Sequence, residues 1–216
     1  MLVNAQVPVW NVKVGLGASS WMGDGFGSAK ALFNQRIGVG VDIPLTGWVS
    51  FQTGLNWTSK GAKYSLVNDT KQTVNQNYFE MPLLAAFHIG TPKNFDVIIS
   101  GGGYIGCGIV GKTEQKADDV TSSWGTFNDA CVGDIKIWDG LRRFDAGIQA
   151  GINLDFRHYI VGVEGEFGLA RMWEKGPRNL GIFATFGFFS IFFSFFRASG
   201  SCRTPTAGSE TATGKL

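Results

Sequence analysis

A strict alternation of apolar and polar residues fills positions 144–156 and limits the fold more than any other feature of the chain. Every second residue from Phe144 to Phe156 is apolar, and the positions between them hold only aspartate, glycine, glutamine and asparagine. A period of two over this length predicts a β-strand with one apolar and one polar face. The function then depends on whether the apolar face points into a protein core or outward into lipid.

Seven further segments share this period of two. The eight predicted strands are Trp10–Trp21, Gln35–Ile43, Trp48–Trp57, Tyr78–Ile89, Phe95–Val110, Phe144–Phe156, Tyr159–Leu169 and Leu180–Phe189. They are long for a soluble protein and suit strands that cross a bilayer at a tilt. Long connections, such as the polar stretch 58–77, alternate with tight turns, such as 44–47. This order predicts an all-β protein, an eight-stranded antiparallel up-and-down transmembrane β-barrel.

The composition is unusual for a soluble domain. Charged residues make up 17% of the 216 residues, while glycine (31 residues) and phenylalanine (18) are abundant, against about 25% charged residues in a typical soluble protein. So few charges make a conventional soluble surface hard to build. The net charge of +2 and the absence of any lysine and arginine run in the sequence argue against nucleic-acid binding.

The polar faces of the strands predict a filled lumen. An eight-stranded barrel has an interior just wide enough for side chains, which glycines and opposed charges would fill. Because an unpaired buried charge is costly, we expect Lys13 and Arg36 to pair with carboxylates such as Glu80, Glu164 or Glu166. The predicted lumenal polar network comprises Lys13, Arg36, Glu80, Asp145, Glu164 and Glu166. Open diffusion of solutes through such a lumen is not expected.

Tryptophans lie near the ends of several predicted strands. Aromatic residues at strand ends are typical of the girdles at the two interfaces of a membrane barrel. The predicted girdle comprises Trp10, Trp21, Trp48, Trp57 and Trp173. These residues favour a membrane barrel over a soluble lipocalin-like barrel, in which the apolar face would point inward around a ligand.

Two phosphate-binding patterns overlap in the glycine-rich segment 100–115. Gly101, Gly103 and Gly106 satisfy G-x-G-x-x-G, and Gly106 together with 111–113 satisfies the P-loop pattern. Both patterns need a loop that starts a helix, whereas Ile105, Cys107 and Ile109 continue the strand alternation. We therefore interpret the glycines as strand positions that leave room for lumenal side chains, and we expect no cofactor.

Catalytic and metal-binding residues are not expected either. His88 and His158 are the two histidines, and both lie near predicted short turns, away from the long-loop end where outer-membrane hydrolases carry their sites. Glu164 and Glu166 share a strand face, and lumenal ion pairing explains them more simply than catalysis. The three cysteines, Cys107, Cys131 and Cys202, fit neither a metal site nor a disulfide framework, although one pair could form.

The longest polar segment, 112–143, allows two interpretations. Its aromatic residues Trp124, Phe127 and Trp138 could bind a protein or a surface ligand, because long loops on rigid scaffolds often carry function. The segment could equally be a self-packed cap or an extra strand hairpin above the barrel.

Four stretches, in this order, resemble the outer-membrane β-barrel domain of the PorT-like family of Bacteroidetes: LNWTSKGAKY, YFEMPLLAAFHI, GGGYIGCGIVGK and FDAGIQAGINLDF. The similarity covers about residues 10–189. It implies an eight-stranded outer-membrane barrel and supplies no catalytic residue.

The two ends lie outside this similarity. We expect residues 1–9 to be the remnant of an export signal or an N-terminal extension, with a small-residue cleavage pattern at Val3 and Ala5. Residues 10–189 would be the barrel, and 190–216 a C-terminal extension that is disordered beyond about residue 197. The apolar run 180–196 also raises a helix alternative, but its phenylalanines, threonine and glycines favour a strand.

The sequence thus predicts a monomeric protein of the bacterial outer membrane that contacts lipid. Its role would be structural, or adhesion or interaction through the long loops. The alternatives are a soluble lipocalin-like ligand-binding barrel and, third, an outer-membrane hydrolase.

Overall fold

The computed structural model describes residues 7–23, 29–65, 70–91, 95–117, 120–132, 135–138, 140–156, 158–171 and 176–189, with the backbone alone at 65, 117, 120, 130–132, 135–138 and 189. Within these ranges the strands are β1 Val9–Met22, β2 Lys30–Pro44, β3 Val49–Ser65, β4 Lys71–Gly90, β5 Asp96–Ala117, β6 Val120–Gly125, β7 Ala130–Val132, β8 Ile135–Trp138, β9 Phe144–Asp155, β10 Tyr159–Gly168 and β11 Arg178–Phe189. No helix among these residues is long and apolar enough to cross a membrane.

Eight of the strands close into an antiparallel barrel. Neighbours in sequence pair from β1 to β5, β5 then pairs with β9, and β9 to β11 follow in order. The ring closes where β1 pairs with β11, with Asn11 opposite Phe189 and Met22 opposite Arg178. The predicted eight-stranded up-and-down barrel is therefore confirmed.

The remaining three strands belong to the connection between β5 and β9. β6 folds back on the end of β5, with Lys112 opposite Gly125. β7 and β8 form a separate two-stranded hairpin. All three strands lie on the side of the barrel where the longer connections are, opposite the turns 45–48, 91–95 and 156–158.

One predicted connection is wrong. The stretch 58–77 is largely strand, because β3 continues to Ser65 and β4 begins at Lys71, and β5 likewise runs on to Ala117. Ser59, Lys63 and Asn75 are polar residues on the outer face of these extensions. The apolar period of two disappears there because a strand that projects beyond the membrane has water on its outer side, while its backbone ladder continues.

The outer face of the barrel is apolar along the central part of the strands. On β4, Leu83 and Phe87 are 40% and 43% exposed, whereas their neighbours Leu84 and Ala86 are buried. The same outward pattern recurs around the ring at Val12, Val14, Leu16, Ile37, Val39, Leu55, Ile99, Ile105, Ile148, Ile152, Val161, Val163, Leu180 and Ile182. A continuous apolar band of this size on a closed barrel with a polar interior is a lipid-facing surface.

A charge placed in this band should be costly, while the same charge beyond it should not. We expect Leu83→Arg to lower the free energy of unfolding by about 2–4 kcal/mol, because the guanidinium would lie in hydrocarbon. Asn75→Arg is the matched control on the outer face of the same strand, above the band, with an expected loss below about 1 kcal/mol. Denaturant titrations in lipid vesicles measure both, and equal losses would contradict a lipid-facing band.

Candidate functional site

A network of buried charges crosses the lumen, and Arg36 on β2 is one of its two centres. Its guanidinium Nη1 lies 3.2 Å from Glu164 Oε2, and Nη2 lies 3.4 Å from Glu80 Oε2 and also contacts Glu166 Oε1. Nε donates to Thr58 Oγ1 at 3.1 Å. These partners come from β3, β4 and β10, so one side chain connects opposite walls of the barrel.

Lys60 on β3 is the second centre. Its Nζ lies 2.5 Å from Glu80 Oε1, 3.1 Å from Glu166 Oε2 and 3.3 Å from Asp145 Oδ2. Glu80 and Glu166 therefore each bridge Arg36 and Lys60. Both cations and both bridging carboxylates are 1–2% exposed at their side chains, so the pairing takes place away from bulk water, where lone charges would be expensive.

Further side chains complete the network at its edges. Lys13 Nζ lies 3.1 Å from Glu164 Oε1, and Gln149 donates to Glu164 Oε2 at 3.1 Å. Asp145 Oδ2 accepts from Asn179 at 3.1 Å and from the Tyr104 hydroxyl at 3.3 Å. The structure thus places all six residues of the predicted lumenal network in one connected cluster.

Aromatic rings support the two cations. The Arg36 guanidinium lies over the Phe183 ring at 4.2 Å, and Lys60 Nζ lies over the Tyr104 ring at 4.3 Å. Cations over aromatic faces are stabilised by the ring quadrupole, most strongly where water is excluded. Phe183 is fully buried and is an apolar residue on the lumenal face.

Glycines opposite the carboxylates provide the space for them. Gly106 lies across the sheet between Glu80 and Asp145, and a Cβ there would come within 3.2 Å of Glu80 Cγ. Residues 101–117 belong to one strand, β5, so the glycine pattern does not form a phosphate-binding loop. This agrees with the interpretation of these glycines as room for lumenal side chains.

An apolar cluster closes the lumen on the long-loop side of the network. Trp21, Ala62, Val74 and Leu141 are buried together, and Tyr64 and Phe127 pack against them. The Tyr64 hydroxyl donates to Gln72 Oε1 at 2.7 Å. Burial raises the pKa of this phenol to about 12, so Tyr64 remains a neutral donor at physiological pH. A smaller cluster of Ala86, Ile98 and Ile160 lies at the short-turn end.

Lys60 is the residue that the sequence analysis missed. Lys60 falls within the predicted polar connection 58–77, because residues on the outer side of this stretch, such as Ser59, are polar. Residue parity is the signal that could have found it. Ser50, Asn56 and Thr58 are buried residues at even positions of β3, and Lys60 is the next even position on the same face.

Only some of the predicted girdle tryptophans lie at the edges of the apolar band. Trp10 and Trp48 are 42% and 61% exposed, and Trp57 is partly exposed at the opposite edge of the apolar band. The prediction that Trp21 belongs to the girdle is corrected, because its side chain is 3% exposed and lies inside the barrel. It has the parity of Lys13 and Ser19 on β1, which is the lumenal face. Trp173 lies outside the described residues.

A chain of aromatic contacts at the short-turn end was not predicted. Phe156 lies 5.7 Å from Phe95 and 5.1 Å from Tyr159, measured between ring centroids, and Tyr159 lies 6.2 Å from Phe186. Phe186 contacts Phe188 edge to face at 4.7 Å. These rings come from two connections and two strands, and the order β5-β9-β10-β11 in the sheet brings them side by side at a membrane interface.

One aromatic residue of the predicted interaction loop packs into the cap. Phe127 turns inward, meets Tyr78 edge to face at 5.8 Å, and lies so close to Gly108 that a Cβ there would come within 2.4 Å of its ring. Phe127 is therefore part of the cap, which corrects its assignment as an interaction residue. Trp124 lies on β6 and is partly exposed, and the side chain of Trp138 lies outside the description.

The short-turn end holds a serine, a histidine and an aspartate close together, but not in a catalytic order. His88 Nε2 lies 2.8 Å from Ser50 Oγ and 3.6 Å from Asp42 Oδ2. A catalytic triad needs the aspartate on the other ring nitrogen, Nδ1, so that Nε2 is left to activate the serine. His158 is exposed in a turn. Among the described residues, no group of three or more histidines, cysteines, aspartates and glutamates could hold a metal ion.

An apolar outer band, a polar charge-filled lumen, and short turns at one end with long connections at the other define a bacterial outer-membrane β-barrel. A family model described as "Outer membrane protein beta-barrel domain" matches residues 7–173. The chain belongs to this outer-membrane β-barrel family. The alternative of a soluble lipocalin-like barrel is therefore wrong, since the apolar face is outside, in contact with membrane lipid.

Solved structures with similar architecture are small outer-membrane proteins of low sequence identity. Ail, the attachment invasion locus protein of Yersinia pestis, is 10% identical, with a TM-score of 0.41, over 86% of this chain and 100% of that one. OprG of Pseudomonas aeruginosa is 10% identical, with a TM-score of 0.45, over 84% and 96%. Neisserial surface protein A is 7% identical, with a TM-score of 0.44, over 85% and 99%. No curated protein matches the chain.

Removing the central cation should destabilise the barrel strongly. We expect Arg36→Ala to lower the free energy of unfolding by about 3–5 kcal/mol, because three carboxylates lose a partner away from water. The control is Lys112→Ala, which breaks the exposed 2.7 Å pair with Glu114 and should cost less than about 1 kcal/mol.

The double variant Arg36→Met/Glu166→Gln tests whether the loss of stability comes from carboxylates left without a cation. It removes one negative charge together with the positive one and should recover part of the loss. Denaturant unfolding in lipid vesicles measures all three variants. A double variant that is no more stable than the single one would show that the loss is not due to the orphaned carboxylates.

Proposed function

We propose that this outer-membrane protein is a closed scaffold with a structural or an adhesion and interaction role, which it performs with the segments on its long-loop side. The observation that carries the proposal is the occluded lumen. Arg36 and Lys60 connect opposite walls through shared carboxylates, and the cluster around Trp21 closes the lumen above them. A barrel built in this way acts through its surfaces and not through an open channel.

An enzymatic role is not part of the proposal. Each carboxylate of the lumenal network forms an ion pair with a lysine or arginine, and its side chain is at most 4% exposed. A substrate therefore has no access to these carboxylates. His88 contacts Ser50 and Asp42 through the same nitrogen, which leaves no relay for nucleophile activation. These observations weigh against the hydrolase alternative.

The β5–β9 connection is the segment that we propose to carry an interaction with a protein or a surface ligand. β6 extends the sheet beyond the barrel wall, and the β7–β8 hairpin follows it. The Gly140 amide donates to Asp129 Oδ1 at 2.8 Å, and the Leu141 amide donates to the Thr126 carbonyl at 3.0 Å. The hairpin thus leaves and re-enters the cap at adjacent points.

Two narrower assignments accompany this proposal. The order of the four sequence motifs supports membership of the PorT-like group within the outer-membrane barrel family. The closed ring, in which every barrel strand pairs on both sides, supports a monomer, because it leaves no barrel edge for another chain to extend.

An occluded lumen predicts the electrical behaviour of the protein. In planar bilayers we expect no large, stable conductance from the native chain. The variant that combines Lys60→Ala/Glu80→Ala/Glu166→Ala with Trp21→Ala/Leu141→Ala removes both the bridging half of the network and the cap. It should conduct ions, because water replaces the missing side chains.

The matched control for conductance is Lys112→Ala/Glu114→Ala, which removes an exposed ion pair outside the lumen and should leave the bilayer silent. A heat-dependent mobility shift on SDS gels verifies that each variant is folded. A large, stable conductance from the native chain would overturn the occluded-lumen scaffold.

Replacing the hairpin tests the interaction role. A short Gly-Ser turn in place of residues 130–139 should leave the barrel folded, because the hydrogen bonds of Asp129 and Leu141 already hold the two ends of the hairpin together. Cells that carry this variant should lose the adherence that cells with the native chain show over cells without it.

The control replaces the connection 66–70 on the same side of the barrel with Gly-Ser and should retain adherence. Equal adherence of the native and hairpin-replaced chains, at equal surface amounts, would remove the hairpin from the interaction role.

A further inference from the structure

A lysine-lined cavity lies on the outside of the barrel, on the extensions of the strands beyond the membrane. It has a volume of about 490 Å³. The basic residues that line it are Lys30, Lys63, Lys71 and Lys116. All four are exposed, and Thr73 and Thr121 supply hydroxyl groups between them. Tyr64 and Gln72 also line the cavity but reach it from the lumenal side, where Tyr64 packs against the cap. Neither the lumenal network nor the interaction hairpin includes any of these lysines.

The lysines are arranged as like-charged pairs across the strands. Lys30 lies directly opposite Lys63 in the β2–β3 ladder, and Lys71 lies directly opposite Lys116 in the β4–β5 ladder. Like charges directly opposite one another destabilise a sheet. Two such pairs around one cavity are an arrangement that a bound anion would stabilise.

The acidic group of the cavity does not neutralise these lysines. Glu114 is the one carboxylate in the lining, and it pairs with Lys112, outside the lining, at 2.7 Å. Among the residues that the structure describes, none of the four lysines has a carboxylate within ion-pair distance. Among the described lining residues, four lysines therefore face one glutamate that is paired elsewhere, and lysine ammonium groups are common ligands of phosphate.

The height of the cavity above the membrane limits the source of the anion. Trp57 and Phe79 lie side by side across β3 and β4 and mark the edge of the apolar band on these two strands, since Ser59 and Asn77 beyond them are polar. Lys63 lies six residues beyond Trp57, and Lys71 precedes Phe79 by eight. With a rise of about 3.3 Å per residue and a tilt of about 40°, these lysines are roughly 15–20 Å above the edge.

A phospholipid headgroup does not reach this height. The polar zone of a bilayer adds only about 5–8 Å on each side of the hydrocarbon. A phosphate at the level of the lysines must therefore be carried on a sugar chain that rises from the lipid. Lys63 and Lys71 are exposed next to the buried residues Ala62 and Gln72 on their strands. Their side chains therefore lie on the outer face of the barrel, the face that meets lipid closer to the membrane.

We propose that this cavity binds phosphate groups on the core oligosaccharide of an outer-leaflet glycolipid. The cross-strand lysine pairs hold the phosphates, and the polar side chains between them contact the sugars. The bound glycolipid offsets the repulsion within each pair and fixes the strand extensions in the layer of sugars above the membrane.

The test measures binding of the full-length chain, in detergent micelles, to rough-type lipopolysaccharide with a phosphorylated core, by native mass spectrometry. K71Q/K116Q should weaken binding about 30-fold, since each lysine near an anionic surface contributes about a factor of five. K71R/K116R should bind as the native chain does. Raising the salt from about 0.1 M to 1 M should weaken native binding, because it shortens the Debye length from about 10 Å to 3 Å.

Two controls distinguish a site from a general charge effect. R142Q/R171Q removes two exposed cations elsewhere on the long-loop side and should leave the affinity unchanged. The same glycolipid after chemical dephosphorylation should bind the native chain as weakly as the intact glycolipid binds K71Q/K116Q. Heat-dependent gel mobility verifies that all variants are folded.

Three results would overturn the proposal. Equal weakening by K71Q/K116Q and R142Q/R171Q would indicate attraction by net charge. Binding of lipid A without core sugars as tight as that of the phosphorylated core would place the anion at the wrong height. Lysine-dependent binding of a soluble sulfated oligosaccharide, with no binding of the glycolipid, would assign the cavity to a soluble polyanion.

Discussion

Every charge inside this barrel must find a partner inside it, and most of the architecture depends on that requirement. A closed barrel in lipid admits little water to its centre, so Arg36 and Lys60 can be ionised there only because carboxylates from facing strands reach them. The sharing of Glu80 and Glu166 between the two cations joins strands that are far apart in sequence. Ion pairs therefore do in the lumen what apolar contacts do in the core of a soluble protein.

The same requirement sets where small residues must lie. The lumen is narrow, and a carboxylate can reach the centre only if the residue across the ladder is small, as Gly106 is beside Glu80. Glycine patterns that look like phosphate-binding loops are thus a consequence of packing charged side chains into a small barrel. Occlusion of the lumen follows from that packing, and it moves the candidate functions to the outer surfaces of the protein.

The strand extensions differ from the membrane-spanning part of the barrel in what surrounds them. Beyond the apolar band the sheet continues, but water replaces lipid on its outside, and lysines become acceptable on the outer face. Trp21, Leu141 and Phe127 close the top of the lumen from within, while Lys63, Lys71 and Lys116 line a cavity on the same strand extensions. Cap and cavity share the strands β3 and β4, and Tyr64 takes part in both.

The sequence by itself determined the strands that cross the membrane, their order and the faces they present. Lipid on one side of each strand and a narrow lumen on the other require apolar and polar residues to alternate, as they do in 144–156. It also supplied six residues that the structure brings together in the lumen. Only the tertiary structure decided how far the strands continue, since a strand with water outside loses its apolar alternation, and so Lys60 was missed and Trp21 was assigned to the wrong face. Ladder register and ring closure also decide which distant residues meet. They bring Lys60 to Glu80, Asp145 and Glu166 and four lysines to one cavity, and neither register nor closure can be read from the local sequence.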